Sequence, residues 1–214
     1  RNFDLIEQFK NTSKKVVTVD FDIERNASVN VRNEQAAFDV AKLALHSAED
    51  EVAILGLRLI DANVTCRVYD QPDIDVSSSI SHQRLAGYQR AMADIGLAIN
   101  HDRVWNIPES NAHFASIAAR EALSSQPRPN VLLCMSDLIA LSVMREAKDM
   151  DIAIPEDLRV VGFDGIEEAT RFIPSLTTVH QNSEQKGKLA AEMFMSDSKH
   201  GAYIEHELLV GESC

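Results

Sequence analysis

The stretch that decides the fold runs from Val131 to Val179, VLLCMSDLIALSVMREAKDMDIAIPEDLRVVGFDGIEEATRFIPSLTTV. Val131–Cys134 is a short continuous apolar run, the pattern of a strand covered on both faces. Ser136 is placed to cap a following helix, and Asp137 puts a carboxylate in its first turn, where the helix dipole favours it. Ile139 with Val143, and Ala140 with Met144 and Ala147, share one helix face. Pro155 prevents continuation of the helix. Arg159–Phe163 reads as a second strand with Asp164 at its end. Two strands joined through a helix must be parallel. Ser136, Asp137 and Asp164 are therefore expected at the carboxyl ends of neighbouring strands, the edge where open parallel sheets hold ligands.

Outward from this unit, the spacing predicts helices over Asn33–His46, Ser81–Ile95 (closed by Gly96), about Glu109–Leu123 and Ser183–Met195. It predicts strands at Val16–Val19 (buried), Val52–Leu55, Arg103–Trp105, Thr177–His180 and Tyr203–Leu209. Phe3–Phe9 reads as a helix end. Residues 57–81 form a long connection, in which Arg58–Ile60 and Val64–Tyr69 are candidates for a hairpin, either a solvated insertion or a flap over a pocket mouth. The acidic stretch Asp70–Asp75 reads as a solvated loop.

Composition narrows the function. The chain of 214 residues is 45% hydrophobic and 25% charged, ordinary for a globular α/β protein. A net charge of −12 without a Lys/Arg cluster argues against contact with a phosphate backbone through this chain. Cys66, Cys134 and Cys214 lack CxxC spacing, as in a protein of the reducing cytoplasm. The seven histidines lack metal-ligand spacing, and neither a phosphate loop nor a G-x-S-x-G elbow is present, so the expectation is no metal, no cofactor and no enzyme. No run of about 18 apolar residues suggests a membrane span.

The ordered series R-L-A-G-Y (Arg84–Tyr88), S-D (Ser136-Asp137), I-P-E-D (Ile154–Asp157), V-V-G-F-D (Val160–Asp164) and L-T-T (Leu176–Thr178) resembles the lactose-repressor/galactose-repressor family of bacterial transcription factors. The resemblance is to its effector-binding core, which shares a fold with periplasmic sugar-binding proteins. It covers nearly the whole chain. It implies an α/β architecture of parallel sheets flanked by helices, with residues 31–182 and 201–214 as a complete carboxy-terminal subdomain. Residues 1–30 and 183–200 would be part of an amino-terminal one. The implied function is sensing a small polar effector, a sugar or derivative, in a cleft between subdomains of a cytoplasmic homodimer. Operator DNA would be met through a headpiece upstream of Arg1.

By the same resemblance Arg84 and Asp164 face the effector, and Ser136 stands where the family usually has Asn, exchanging an amide for a hydroxyl. A guanidinium fork and a carboxylate complement hydroxyls that both donate and accept; the same two groups would also serve as a plain salt bridge. Phe163 is a candidate apolar wall or a core residue, Asp20 a ligand contact or a turn cap, and Glu109 a ligand contact or, with Asn111, a helix cap. Leu141, Phe172 and Ile173 match positions that pack across the family's dimer, against internal core as the alternative. Two rival functions remain open: a periplasmic sugar-binding protein of a transport system, and an enzyme acting on sugars or nucleosides with Asp137 and Asp164 as acid and base.

Overall fold

The computed structural model describes residues 9, 12–23, 26–69, 79–196, 198 and 200–214. The expectations for Phe3–Gln8 and for Asp70–Asp75 lie outside the described residues. The chain divides into two compact units, 1–32 with 181–207 and 33–180 with 208–214.

The strands in chain order are β1 (Val17–Val19), β2 (Ala27–Val31), β3 (Val52–Leu57), β4 (Cys66–Arg67), β5 (Val104–Ile107), β6 (Val131–Cys134), β7 (Arg159–Val161), β8 (Thr178–His180), β9 (Ala202–Ile204) and β10 (Glu207–Leu209). The helices are α1 (Asn33–Ala44), α2 (Ile80–Asp94), α3 (Ala112–Leu123), α4 (Asp137–Asp149), the short α5 (Glu167–Arg171) and α6 (Ser183–Met195).

The smaller unit is a parallel sheet in the order β1-β2-β9 packed on α6, with Val29, Ala27 and Met193 at its centre. β1 is not the buried strand its apolar sequence suggests, since Val19 is 43% exposed. The single terminal strand expected over Tyr203–Leu209 is two strands: β9 pairs with β2, and β10 pairs with β8. The last passage between units accordingly falls after Glu207 rather than at 200–201.

The larger unit carries the sheet β4-β5-β3-β6-β7, parallel except for β4, which runs antiparallel on β5. The hairpin expected within 57–81 does not form between 58–60 and 64–69; Cys66 and Arg67 instead cover the free edge of β5. Alternation along each strand separates two cores. Leu132 and Cys134 of β6, with Trp105, Ile107 and Leu55, face α3 and α4. Val131 and Leu133, with Val104, Ile54 and Val161, face α1 and α2. Both faces are sealed, which is why these strands read as continuous apolar runs.

The amino ends of the strands are closed by a polar knot. Arg159 donates from Nη2 to Asp50 Oδ1 at 2.5 Å and from Nη1 to the Ala44 carbonyl at 2.6 Å. Asp50 Oδ2 accepts from the His46 amide at 2.7 Å and the Ser47 amide at 3.2 Å. Asn130 takes the Glu51 amide at 2.9 Å. Burial pulls the Asp50 carboxyl upward, but the His46 amide, Arg159 and the Ser47 amide together hold it below the ordinary carboxylate value. A folded-state value below the unfolded one means stability that is present above the ordinary carboxylate value and is lost as pH falls through it toward the folded-state value. Asp50→Asn is expected to cost about 2 kcal/mol at neutral pH. The gap between parent and variant should close as pH falls through that window, read by urea denaturation at a series of pH values.

Candidate functional site

At the opposite, carboxyl edge the larger unit gathers Arg84, Ser136, Phe163 and Asp164. α2 starts on Ser79, whose side chain accepts the His82 amide, and this fixes the helix that projects Arg84 inward. Arg84 is 7% exposed and its fork is held on several sides. Nε donates to Asn33 Oδ1 at 3.0 Å and Nη1 to the Met135 carbonyl at 2.5 Å. Nη1 also stands 3.8 Å from Asp164 Oδ1, and the guanidinium carbon lies 3.6 Å from the centre of the Phe163 ring. The cation is thus stacked on an aromatic face while its edge is matched to oxygen.

Asp164 reaches this place through an uncommon backbone, φ +132, followed by Gly165 at φ +71. For a residue with a side chain that conformation costs on the order of 1–3 kcal/mol, and such strain collects at functional sites. The Asp164 side chain keeps 34% exposure, so it can meet solvent or a guest while Arg84 cannot move away.

Ser136 caps α4, accepting the Ile139 amide at 3.3 Å, and its hydroxyl lies 3.3 Å from that of Ser110. Ser110 follows β5, so the two hydroxyls come from adjoining loops of one sheet edge. Asp137 is fully buried beneath them. Its carboxylate accepts the Thr178 hydroxyl and, at 2.9 Å, the Ile166 amide. Burial raises its carboxyl above the usual range, opposed by Thr178 and by the amides of Ile166, Gly165 and Phe163.

The remaining candidates are dispersed. Phe163 is 0% exposed, so its ring meets Arg84 and the core rather than open space. Glu109 is exposed and takes a bond from Asn111 Nδ2 at 3.2 Å, while Asn111 itself caps α3 through the Phe114 amide at 3.0 Å. α3 therefore begins at Ala112, later than expected. Asp20 belongs to the smaller unit, where both its oxygens bind Lys186 Nζ, at 2.8 and 2.6 Å; that ammonium also reaches Gln181 Oε1 at 3.0 Å. Lys186 is 2% exposed, and neither it nor Asn33 was singled out by the sequence. Asn33 had a usable signal: an Asn opening a helix, in reach of a polar neighbour. Lys186 sits in a helical run of mixed charge that looks solvent-facing.

Leu141 is 3% exposed inside the α3–α4 core, Phe172 is half-buried against it, and Ile173 is 87% exposed. Ile173 and Phe172 border a hollow of about 370 Å³ with Met144, Ile152, Ile154 and Pro174. A hollow of about 640 Å³ along the outer side of α3, lined by His113, Ile117 and Arg120 among others, contains none of the site residues.

The sequence matches the periplasmic binding protein-like domain over residues 64–213. Among curated proteins it is 38% identical over 132 residues to the HTH-type transcriptional repressor PurR of Vibrio campbellii, covering 61% of this chain and 38% of that protein. It is 32% identical over 122 residues to the PurR of Photobacterium profundum, covering 56% and 36%. The chain thus spans well under half the length of the curated relatives it matches. Among solved structures, a LacI-family regulator from Corynebacterium glutamicum superposes with a TM-score of 0.85 at 22% identity, over 100% of this chain and 64% of that one. The CelR–cellobiose complex does so at 0.74 and 21%, over 92% and 58%. These likenesses bear out the α/β, periplasmic-binding-protein-like fold and the repressor-core resemblance read from the sequence.

Proposed function

From the premise that the chain belongs to the periplasmic binding protein-like domain family, we propose that it is the effector-sensing core of a LacI-type transcriptional regulator. The effector is a small polar molecule, a sugar or sugar derivative. The observation that carries this reading is the Arg84–Asp164 pair, 3.8 Å apart at the carboxyl edge of a parallel sheet, with the guanidinium locked and the carboxylate open. A fixed donor fork beside an accessible acceptor suits a guest whose hydroxyls do both. The relatives are repressors, which favours a cytoplasmic regulator over a transport protein. The structural neighbour's cellobiose complex supports a sugar as ligand class. Operator DNA is met by a helix-turn-helix elsewhere in the full polypeptide, consistent with the net charge of −12 here. The effector shifts the DNA-binding equilibrium only by its differential affinity for the two states.

A thermal-shift panel of sugars, sugar phosphates and nucleosides on the full polypeptide tests the reading. A specific ligand at about 100 times its Kd adds roughly 2.7 kcal/mol of stability. The same ligand must then change operator affinity in a gel-shift titration; binding without that change would leave a sugar-binding protein and not a regulator.

Self-association through the Phe172–Ile173 surface completes the proposal, since an 87% exposed Ile beside an apolar hollow is suited to a second copy. Ile173→Lys is expected to shift the protein from dimer to monomer in sedimentation velocity, while the stability of the monomer changes by no more than about 0.5 kcal/mol. An unchanged dimer would place the interface elsewhere.

A further inference from the structure

Asp137 has so far only a structural description, yet it is bonded to the turn that carries Asp164, one of the two groups proposed above to meet the effector. Its amide donates to the Phe163 carbonyl at 2.7 Å, the residue on which Arg84 is stacked. Its carboxylate takes the Ile166 amide at 2.9 Å on one oxygen and the Thr178 hydroxyl on the other, and the Gly165 amide also bears on it. The residues on either side of Asp164 are therefore gripped by one residue, Phe163 through the Asp137 amide and Gly165 with Ile166 through its carboxylate.

The rest of the turn is built around that grip. A Cβ on Gly162 would collide with Asp137 Oδ1 and come within 2.8 Å of Leu176, so only glycine lets the carboxylate approach. Gly165 is likewise closed in, its Cβ position 2.6 Å from the His180 Cα. Asp164 donates its amide to Val179 at 2.9 Å, which ties the turn to the strand that also carries Thr178. Nothing in these bonds favours φ +132 at Asp164 by itself; extended backbone is available to an Asp and is less strained. The Gly165 and Ile166 amides can point at one buried carboxylate only while the intervening backbone keeps its turn.

We infer that Asp137 is a positioning residue for effector recognition, its buried carboxylate holding the 163–166 turn so that Asp164 presents its own carboxylate beside Arg84. The inference deepens the effector-site reading and rests on it for its biological meaning, but the geometry can be tested with no ligand present. Its failure is thereby distinct from a failure of the sugar-sensing proposal.

The readouts are the amide–Hα three-bond coupling of Asp164 and the hydrogen exchange of Arg84 Nε–H, compared with the amides of Leu132 and Leu133 in β6. In the parent the coupling at Asp164 is small, as a φ of +132 requires. In Asp137→Ala it should rise to that of extended backbone, and Arg84 Nε–H should exchange about ten-fold faster while the β6 amides keep their protection, since one buried acceptor of several bonds is gone. Asp137→Asn, which keeps an oxygen for the Ile166 amide, should fall between. Thr178→Val removes one partner and leaves the carboxylate; it should move both readouts in the same direction, and it answers the question if Asp137→Ala does not fold. A small coupling persisting in the folded variants overturns the inference. So does Arg84 exchange that rises only in step with β6, because a residue that merely supports the fold would move all of them together.

Discussion

Gly87→Ala is expected to destabilise the protein by about 3 kcal/mol, although alanine is the better helix former by roughly 1 kcal/mol. A Cβ at Gly87 would run into the Glu34 carbonyl oxygen and lie 2.8 Å from both Ala37 Cβ and the Phe38 amide nitrogen. Two of these three atoms are backbone of α1, so no side-chain rotation relieves the clash. α1 cannot withdraw easily, because Ala36, Ala37, Val40, Ala41 and Ala44 are all fully buried beneath it. Either the helices separate, opening a void under Tyr88 and Met92, or α2 shifts along its axis. Arg84 lies one turn from Gly87 on α2, so a shift of the helix also misplaces the guanidinium. Urea denaturation gives the stability loss. Gly187→Ala is the control: nothing lies within 4 Å of a Cβ in that helix, so the propensity gain should appear undiminished. Equal behaviour at the two positions would show that the α1–α2 contact yields more readily than its packing implies.

The pattern of legibility follows the same physics. Helix α4 and strand β6 could be placed from sequence because the apolar period of the one and the uninterrupted apolar run of the other are plain, and Ser136 caps the helix between them. The gathering of Arg84 and Asp164 followed from topology together with motif order, because a parallel crossover leaves few places for strand-end residues to go. What the sequence concealed was set by pairing partners that lie far away in the chain. Residues 202–209 are apolar enough for one strand, but two neighbours, β2 and β8, divide them. β4 carries only two residues and takes its identity from β5. Asp20 and Lys186 are 166 positions apart, and neither local pattern announces an ion pair with a buried ammonium. Phe163 was ambiguous for a different reason: an aromatic flanking a functional Asp reads the same whether its ring faces a guest or, as here, the underside of a guanidinium.

Arg84→Ala should lower affinity for the effector about a hundred-fold, ~2.7 kcal/mol, with a smaller effect on the fold. The guanidinium meets Asn33, the Met135 carbonyl, the Phe163 ring and Asp164 at once. Its removal takes one donor from Asn33 and one from the Met135 carbonyl and uncovers an aromatic face, for a stability loss of about 1–2 kcal/mol. Water entering the gap can serve Asn33 and Met135, which limits that loss. Water cannot replace a guanidinium stacked rigidly on the Phe163 ring 3.8 Å from Asp164, and the Asp164 carboxylate loses the cation that orients it. Arg84→Lys should be nearly as deficient, since an ammonium offers neither the plane that stacks on Phe163 nor two parallel donors. Asp164→Asn separates the contributions: it keeps the backbone turn and an acceptor oxygen but removes the charge, so its affinity should lie between parent and Arg84→Ala. Titration calorimetry with the sugar found in the thermal-shift panel orders the three variants. If Arg84→Lys binds like the parent, the point charge is sufficient and the stacked fork is not what recognises the effector. If all three bind like the parent, the sugar is held away from this strand edge, and the pair at 3.8 Å serves only to join α2 to the end of β7.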